Sequence, residues 1–246
     1  MTSIRRRTAL RGLTGAGAMA FAAACAPAGP AATSTAATTG STPAPAAAPA
    51  TGQEALDLLL EGNRRWQAAR PDHPHEGAEI RRALVAGQHP FATVLSCVDS
   101  RVPPELVFDQ GLGDLFTVRT AGQVLDDAVL GSIAYGAGEL GIRSVLVLGH
   151  SSCGAVSATV DAIDKGGKAP GHLEALVEAI GPSVPPPGPD RAARIAAAVD
   201  ANIRAVVDRL VRDDDLAPLV ARGALVVAGG RYDLDSGAVS LLQAGG

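Results

Sequence analysis

Two short apolar runs, residues 91–96 (FATVLS) and 144–148 (SVLVL), each lead into a side chain that can hold a metal ion. Their length and β-branched content fit strands buried on both faces, as in a parallel sheet. Cys97 follows the first run directly, His150 follows the second almost at once, and Cys153 comes shortly after His150. In an open parallel sheet, ligands bind just outside the carboxyl ends of the strands. Cys97-Val98-Asp99-Ser100-Arg101 and His150-Ser151-Ser152-Cys153-Gly154 are therefore expected at the same edge of one sheet. Two thiolates and an imidazole suit a tetrahedral zinc ion, and catalytic zinc sites use three protein ligands and keep the fourth position for water. A closed structural site would need one more ligand. Cys25 lies far from the motifs near the start of the chain, and His73, His75, His89 and His172 stand in no matching motif. The set reads as one catalytic zinc per chain.

The remaining pattern alternates strand and helix. Leu56, Leu59 and Leu60 have helical spacing within residues 53–69, which close on Trp66 before Pro71 and Pro74 break the run. A short helix is expected over 79–86. A second strand spans 115–118, and a helix with small residues on one side (Ala128, Gly131, Ala134, Gly138) spans 126–139. Val102-Pro103-Pro104-Glu105 cannot continue a central strand, because proline lacks the ladder donor. The helix after the third strand begins near Gly154, with its positive end close to the metal. A helix over 173–180, then a long helix capped by Asp190, with Ile195, Val199, Ile203, Val206 and Leu210 on one face, precede a fourth strand at 224–228. Residues 238–242 form a closing antiparallel edge strand. The expected fold class is α/β: a mostly parallel central sheet of four strands plus an antiparallel edge strand, with helices on both faces. A chain of 246 residues with formal charge −4 has room for one sizeable α/β domain, and its mild acidity offers no basic stripe for nucleic acid.

Residues 1–25 have the layout of an export signal. Arg5-Arg6-Arg7-Thr8-Ala9-Leu10 has the arginine pair of a twin-arginine leader, and the small, apolar run over 12–24 is too short to span a bilayer, which takes roughly 20 residues. Cys25 after Ala22-Ala23-Ala24 is similar to a bacterial lipoprotein box, with plain cleavage near the same alanines as the alternative. Residues 26–52 are rich in Ala, Pro and Thr, and read as a flexible linker. The folded domain is expected over 53–246. The chain is thus expected outside the cytoplasm, touching a membrane only through a lipid on Cys25.

Cys97-x-Asp99-x-Arg101 together with His150-x-x-Cys153-Gly154 resembles the zinc signature of the β-class carbonic anhydrases. The likeness extends to Gly62-Asn63-Arg64-Arg65-Trp66, to residues 109–122, and to Tyr232-Asp233-Leu234-Asp235-Ser236-Gly237 near the end. The resemblance implies the β-carbonic anhydrase fold, with Cys97, His150 and Cys153 on zinc and Asp99 paired with Arg101. It implies that Gln88 and Gly154 meet the substrate, carbon dioxide or bicarbonate, and that Phe116 and Tyr135 line its pocket, the aromatics often reaching in from a neighbouring subunit. A homodimer or homotetramer is implied, with the first helix packed on a partner, although Leu56, Leu59 and Leu60 equally suit its own sheet. Thr120, Ala121 and Gln123 depart from residues common in the family. Val94 stands where members with a separate inhibitory bicarbonate pocket carry tryptophan, so that pocket is not expected.

The implied reaction is reversible hydration of carbon dioxide through a zinc-bound hydroxide. Zinc lowers the pKa of its water from 15.7 to about 7, a figure for which carbonic anhydrase is itself the reference case. An arginine fork holds a carboxylate by two parallel charge-assisted bonds, which would aim Asp99 at the nucleophile. Two other readings share the motifs: a carbonyl sulfide or carbon disulfide hydrolase on the same zinc, and a catalytically silent zinc-binding protein.

Overall fold

The computed structural model describes residues 49–166 and 168–242. The stretch expected to be an export signal over 1–25, with Cys25, and nearly all of the expected linker over 26–52 lie outside the described residues. Thr51 caps the first helix, α1 (Gly52–Gln67), through a reciprocal capping box with Glu54. Such a cap is worth about 0.5–2 kcal/mol, and here it marks where the packed domain begins.

Five strands form one sheet: β1 (Ala92–Cys97), β2 (Leu115–Thr120), β3 (Ser144–His150), β4 (Val226–Tyr232) and β5 (Val239–Leu242), in the order β2-β1-β3-β4-β5. The first four are mutually parallel and β5 is antiparallel to β4. Every residue of β1 and β3 is buried, which explains their unbroken apolar sequence. β2 is half-buried throughout, because it lies at an open edge.

The sheet divides two cores. Leu56 and Leu59 of α1 pack with Val94, Leu146, Leu148 and Phe108 on one face. The first helix therefore covers its own sheet. On the other face, Leu95, Val145 and Val147 meet α4 (Asp127–Gly138), α5 (Gly154–Asp164) and α7 (Arg191–Val211). The five apolar positions expected on the long helix are all buried, and Asp190 caps it by accepting from the Ala193 N–H. Among the described helices, none is long and apolar enough to cross a membrane.

Three details differ from the sequence reading. Residues 79–86 are a short helix, α2 (Ala78–Ala83), that tightens into a 3-10 turn. The proline pair at 103–104 starts a one-turn helix, α3 (Pro104–Val107), with Pro104 at its first position where no N–H is needed. The fourth strand lies two residues later than expected and runs through Gly229 and Gly230. A side chain at Gly229 would come within 2.8 Å of Ile203, so glycine there lets α7 lie close on the strand. Two further short helices lie among the described residues, α6 (Leu173–Ile180) and α8 (Ala217–Ala221).

Candidate metal centre

The last residues of β1 and β3 carry Cys97 and His150, and the α5 N-cap is Cys153. β1 and β3 are neighbours in the sheet, which brings the two half-motifs to the same carboxyl edge. The two sulfurs and an imidazole nitrogen lie within 4.8 Å of one another, all three residues buried. Among the described residues both cysteines are free. A single ion with bonds of about 2.0–2.3 Å bridges such a set with little side-chain movement.

The protonation pattern supports the fit. His150 Nδ1 faces the Ser151 carbonyl oxygen at 2.9 Å, and a carbonyl only accepts. Nδ1 thus carries the proton, and Nε2 turns its lone pair inward. Nε2 is buried without a hydrogen-bond partner among the described residues. An orphaned acceptor between two thiols is costly unless a cation completes it. The bond from Cys153 lowers the Cys97 thiol to about 4, against the opposing effect of burial. The same bond, together with burial, pushes the Cys153 thiol up. The opposite directions of the two thiols favour one shared negative charge on the pair, which suits a cation site.

Backbone and side chains around the ligands fix their aim. The Gly122 N–H donates to Cys97 Sγ at 3.3 Å. Gly122 has φ +66°, a conformation that favours glycine, and a Cβ there would lie 2.8 Å from Ile180 Cδ1. Its carbonyl accepts from the buried Asn202 side chain at 2.9 Å, tying the turn to α7. Arg119, at the carboxyl end of β2, donates from Nε to the Cys97 carbonyl at 2.9 Å and from Nη2 to the Asp99 carbonyl at 2.6 Å. Ser151 is tied down by its own N–H to the Tyr232 carbonyl and by the Leu234 N–H to its hydroxyl.

Asp99 is gripped by Arg101. Arg101 Nε and backbone N–H donate to Oδ1 at 2.9 and 3.0 Å, and Nη2 donates to Oδ2 at 2.7 Å. This fork holds the Asp99 carboxyl well below the usual carboxylate range. The same contact raises Arg101. Asp99 Oδ2 stands 3.7 Å from His150 Nε2, so the carboxylate faces the ligand cluster without entering it.

The other residues singled out from sequence are placed less centrally. Gly154 opens α5 directly after the ligand Cys153, and a Cβ there would meet nothing within 4 Å, so packing does not demand glycine. Phe116 and Tyr135 come together at the open β2 edge, ring centroids 6.4 Å apart. Phe116 pairs in register with Thr93, four residues before Cys97, or about 13 Å along the strand. Within one chain these aromatics do not reach the ligands. Gln88 is exposed in the loop ahead of β1. In the sequence Arg119 stands out only as part of the stretch 109–122. The sequence signal for its role was a basic residue ending an apolar strand beside the one that delivers Cys97.

Comparison with known proteins gives a consistent picture. Residues 92–239 match the family model described as carbonic anhydrase. The chain is 43% identical over 184 residues to carbonic anhydrase 2 of Mycobacterium tuberculosis H37Rv, a match covering 74% of this chain and 89% of that protein. It is 42% identical over 188 residues to the carbonic anhydrase of Mycolicibacterium smegmatis, covering 76% and 91%. Among solved structures, the Coccomyxa β-carbonic anhydrase in complex with acetazolamide superposes with TM-score 0.60 at 26% identity, covering 76% of this chain and 86% of that one. A tetrameric β-carbonic anhydrase from Sordaria macrospora shares the fold at TM-score 0.63 and 21% identity, covering 76% and 96%.

Proposed function

The chain belongs to the β-class carbonic anhydrase family, and we propose that Asp99, pinned by Arg101, orients the nucleophile while Cys97, His150 and Cys153 hold the catalytic zinc. The activity is zinc-dependent, reversible hydration of carbon dioxide to bicarbonate and a proton. Held by these ligands, zinc would supply a nucleophilic oxygen near neutral pH, the role it has in carbonic anhydrases in general.

The protein's own part is positioning and charge. Asp99 is ionised, so both its oxygens can only accept hydrogen bonds. A nucleophile beside the ligand cluster must then point its proton at Asp99, which leaves a lone pair free to face the carbon of carbon dioxide. The Arg101 fork holds the carboxylate in place and would keep it from turning onto a metal bound by the three ligands. Arg119 fixes the two carbonyls that flank this turn and so sets the distance between ligand Cys97 and Asp99. The Ala155 and Val156 N–H groups in the first turn of α5 donate to the Cys153 sulfur, so the positive helix end favours its thiolate.

We propose further that a second copy of the chain docks at the β2 edge, carrying its own Phe116–Tyr135 pair toward the pocket. The half-buried strand and the exposed Tyr135 support that reading. Export through a twin-arginine leader, with the mature chain tethered at Cys25 or cleaved near it, fits the arginine pair and the linker composition.

The observation that carries the function is the orphaned, buried His150 Nε2 between two free thiols, with an arginine-held carboxylate 3.7 Å away. Oxygen-18 exchange between carbon dioxide and water tests it. Wild type should exchange rapidly, and Asp99→Ala with full zinc content should lose nearly all exchange. Undiminished exchange in that variant would remove Asp99 from the mechanism. Sulfide release from carbonyl sulfide, with no exchange, would move the reaction to the hydrolase alternative.

A further inference from the structure

On the α7 face of the sheet, opposite the core that holds Val94, a cavity of about 330 Å³ opens beside the metal-ligand loop. Ser151, Ser152 and Ser157 line one wall, Ile195 is among its apolar residues, and Arg191 and Arg231 supply its charge. The two arginines come from different elements, the first residue of α7 and the penultimate residue of β4. Each is anchored by a carboxylate that does not line the cavity. Arg191 Nε and Nη2 donate to Asp161 Oδ1 at 3.2 and 2.5 Å. Arg231 Nη1 donates to both Asp200 oxygens at 3.0 and 3.1 Å.

A guanidinium carries five N–H donors in a fixed fork. The Asp161 contact engages two nitrogens of Arg191 and leaves Nη1. The Asp200 contact engages one nitrogen of Arg231 and leaves Nε and Nη2, the edge that holds an oxyanion by two parallel bonds. Ser151 Oγ accepts from the Leu234 N–H at 2.9 Å, and its own proton is directed to the Asp233 carboxylate. Ser152 and Ser157 add two more hydroxyls. The free donors on this wall thus come from two arginines and from Ser152 and Ser157, and no carboxylate lines the space they share.

We propose that this cavity is a second, non-catalytic binding site for a tetrahedral oxyanion of the phosphate class. The fork geometry and the unengaged N–H donors suit an oxyanion with several acceptor oxygens, and the volume leaves room for an organic group beside Ile195. The occupant is a phosphate, either free or as the end group of a small monoester. It would rest on Ser151 and Ser152, the residues that join ligands His150 and Cys153.

Calorimetric titration of the zinc-loaded full chain with inorganic phosphate and with glycerol 3-phosphate tests this, with saturating azide present to block the metal. Saturable binding of at least one probe is expected. Arg191→Gln, on an exposed first turn, should weaken it at least tenfold, as should Arg231→Gln, whereas the distant, exposed Arg222→Gln should leave it unchanged. Tighter binding of the monoester would identify an organic phosphate as the occupant, and equal affinities the free ion. Binding of neither probe, loss of all binding when azide is added, or equal affinity in wild type and Arg191→Gln would overturn the proposal. Oxygen-18 exchange in phosphate-free buffer should be the same in wild type and Arg191→Gln, so the outcome is independent of the catalytic reading.

Discussion

Asp99 Oδ2 stands 3.7 Å from His150 Nε2, while its hydrogen bond runs the other way, to Arg101 Nη2 at 2.7 Å. The arginine therefore decides which side of the site the carboxylate serves. A carboxylate released from that fork is close enough to turn onto a metal held by His150, where it would occupy the position that water needs.

Arg101→Ala should lower oxygen-18 exchange by about 100-fold, the scale expected when a reacting group is misplaced by about 1 Å, with zinc content unchanged. Arg101→Lys keeps the charge and loses the fork, so it should fall between. The pH behaviour follows from the depressed Asp99 value. In wild type the ion pair is present above the ordinary carboxylate range, about 3.9, and is lost only as pH falls through the lower folded value. In Arg101→Ala that protection disappears, and carboxylate protonation moves up towards the ordinary range. A pH titration of Asp99 by carbon-13 NMR in both proteins reads this directly.

Arg119 tests whether the backbone of the Cys97–Asp99 turn is itself part of the machinery. Arg119→Ala should retain zinc, because all three ligands remain, and reduce kcat by about 10–100-fold as Asp99 drifts. KM should change little. A variant with normal kcat would show that the turn keeps its shape without those two bonds.

Much of this was legible in the sequence, and for identifiable reasons. β1 and β3 are buried on both faces, so their composition is uniform, and chemistry at their carboxyl ends stands out against it. The long helix α7 has one buried face and a capping aspartate, so its start and its orientation were both readable. β4 was misplaced because Gly229 and Gly230 look like a connector. They are strand residues kept small by the approach of Ile203, a tertiary cause that no local pattern carries. Arg119 escaped notice as a site residue because its partners are carbonyl oxygens twenty or more positions away, which leave no side-chain signature. Phe116 and Tyr135 were identified by resemblance, and a single chain leaves them at an open edge.

Gly122→Ala should be destabilising out of proportion to one added methyl. The residue sits at φ +66°, and the new Cβ would crowd Ile180 at 2.8 Å and Ala155 at 3.3 Å. A non-glycine residue forced into that conformation costs about 1–3 kcal/mol. The strain also pulls the Gly122 N–H from Cys97 Sγ, so chelators should strip zinc faster from the variant than from wild type. Urea denaturation gives the stability loss, and zinc release into a colorimetric chelator gives the second effect. Equal release rates would disconnect the turn from the metal.

Asp109 supplies the last test, remote from the catalytic chemistry. Its buried carboxylate accepts from Arg65 Nε at 2.5 Å and from the Asp72 and His73 N–H groups at 2.9 and 3.1 Å, pinning the turn after α1. Burial alone would raise its pKa, but these donors outweigh burial and hold it below the usual range. A depressed carboxylate stabilises the fold fully above the unfolded value, about 3.9, and this contribution is lost as pH falls through the folded value. Asp109→Asn keeps the shape, and asparagine tolerates the φ of +47° found there. It should cost about 1.5–3 kcal/mol at pH 7, the usual worth of hydrogen bonds to a charged group. The difference from wild type should shrink as the native carboxylate takes up its proton. Ligand protonation weakens metal binding equally in both proteins, so the difference between their urea unfolding curves at pH 7, 5 and 3.5 isolates the carboxylate. A gap that stays constant across that range would mean that shape at residue 109, and not charge, secures the turn.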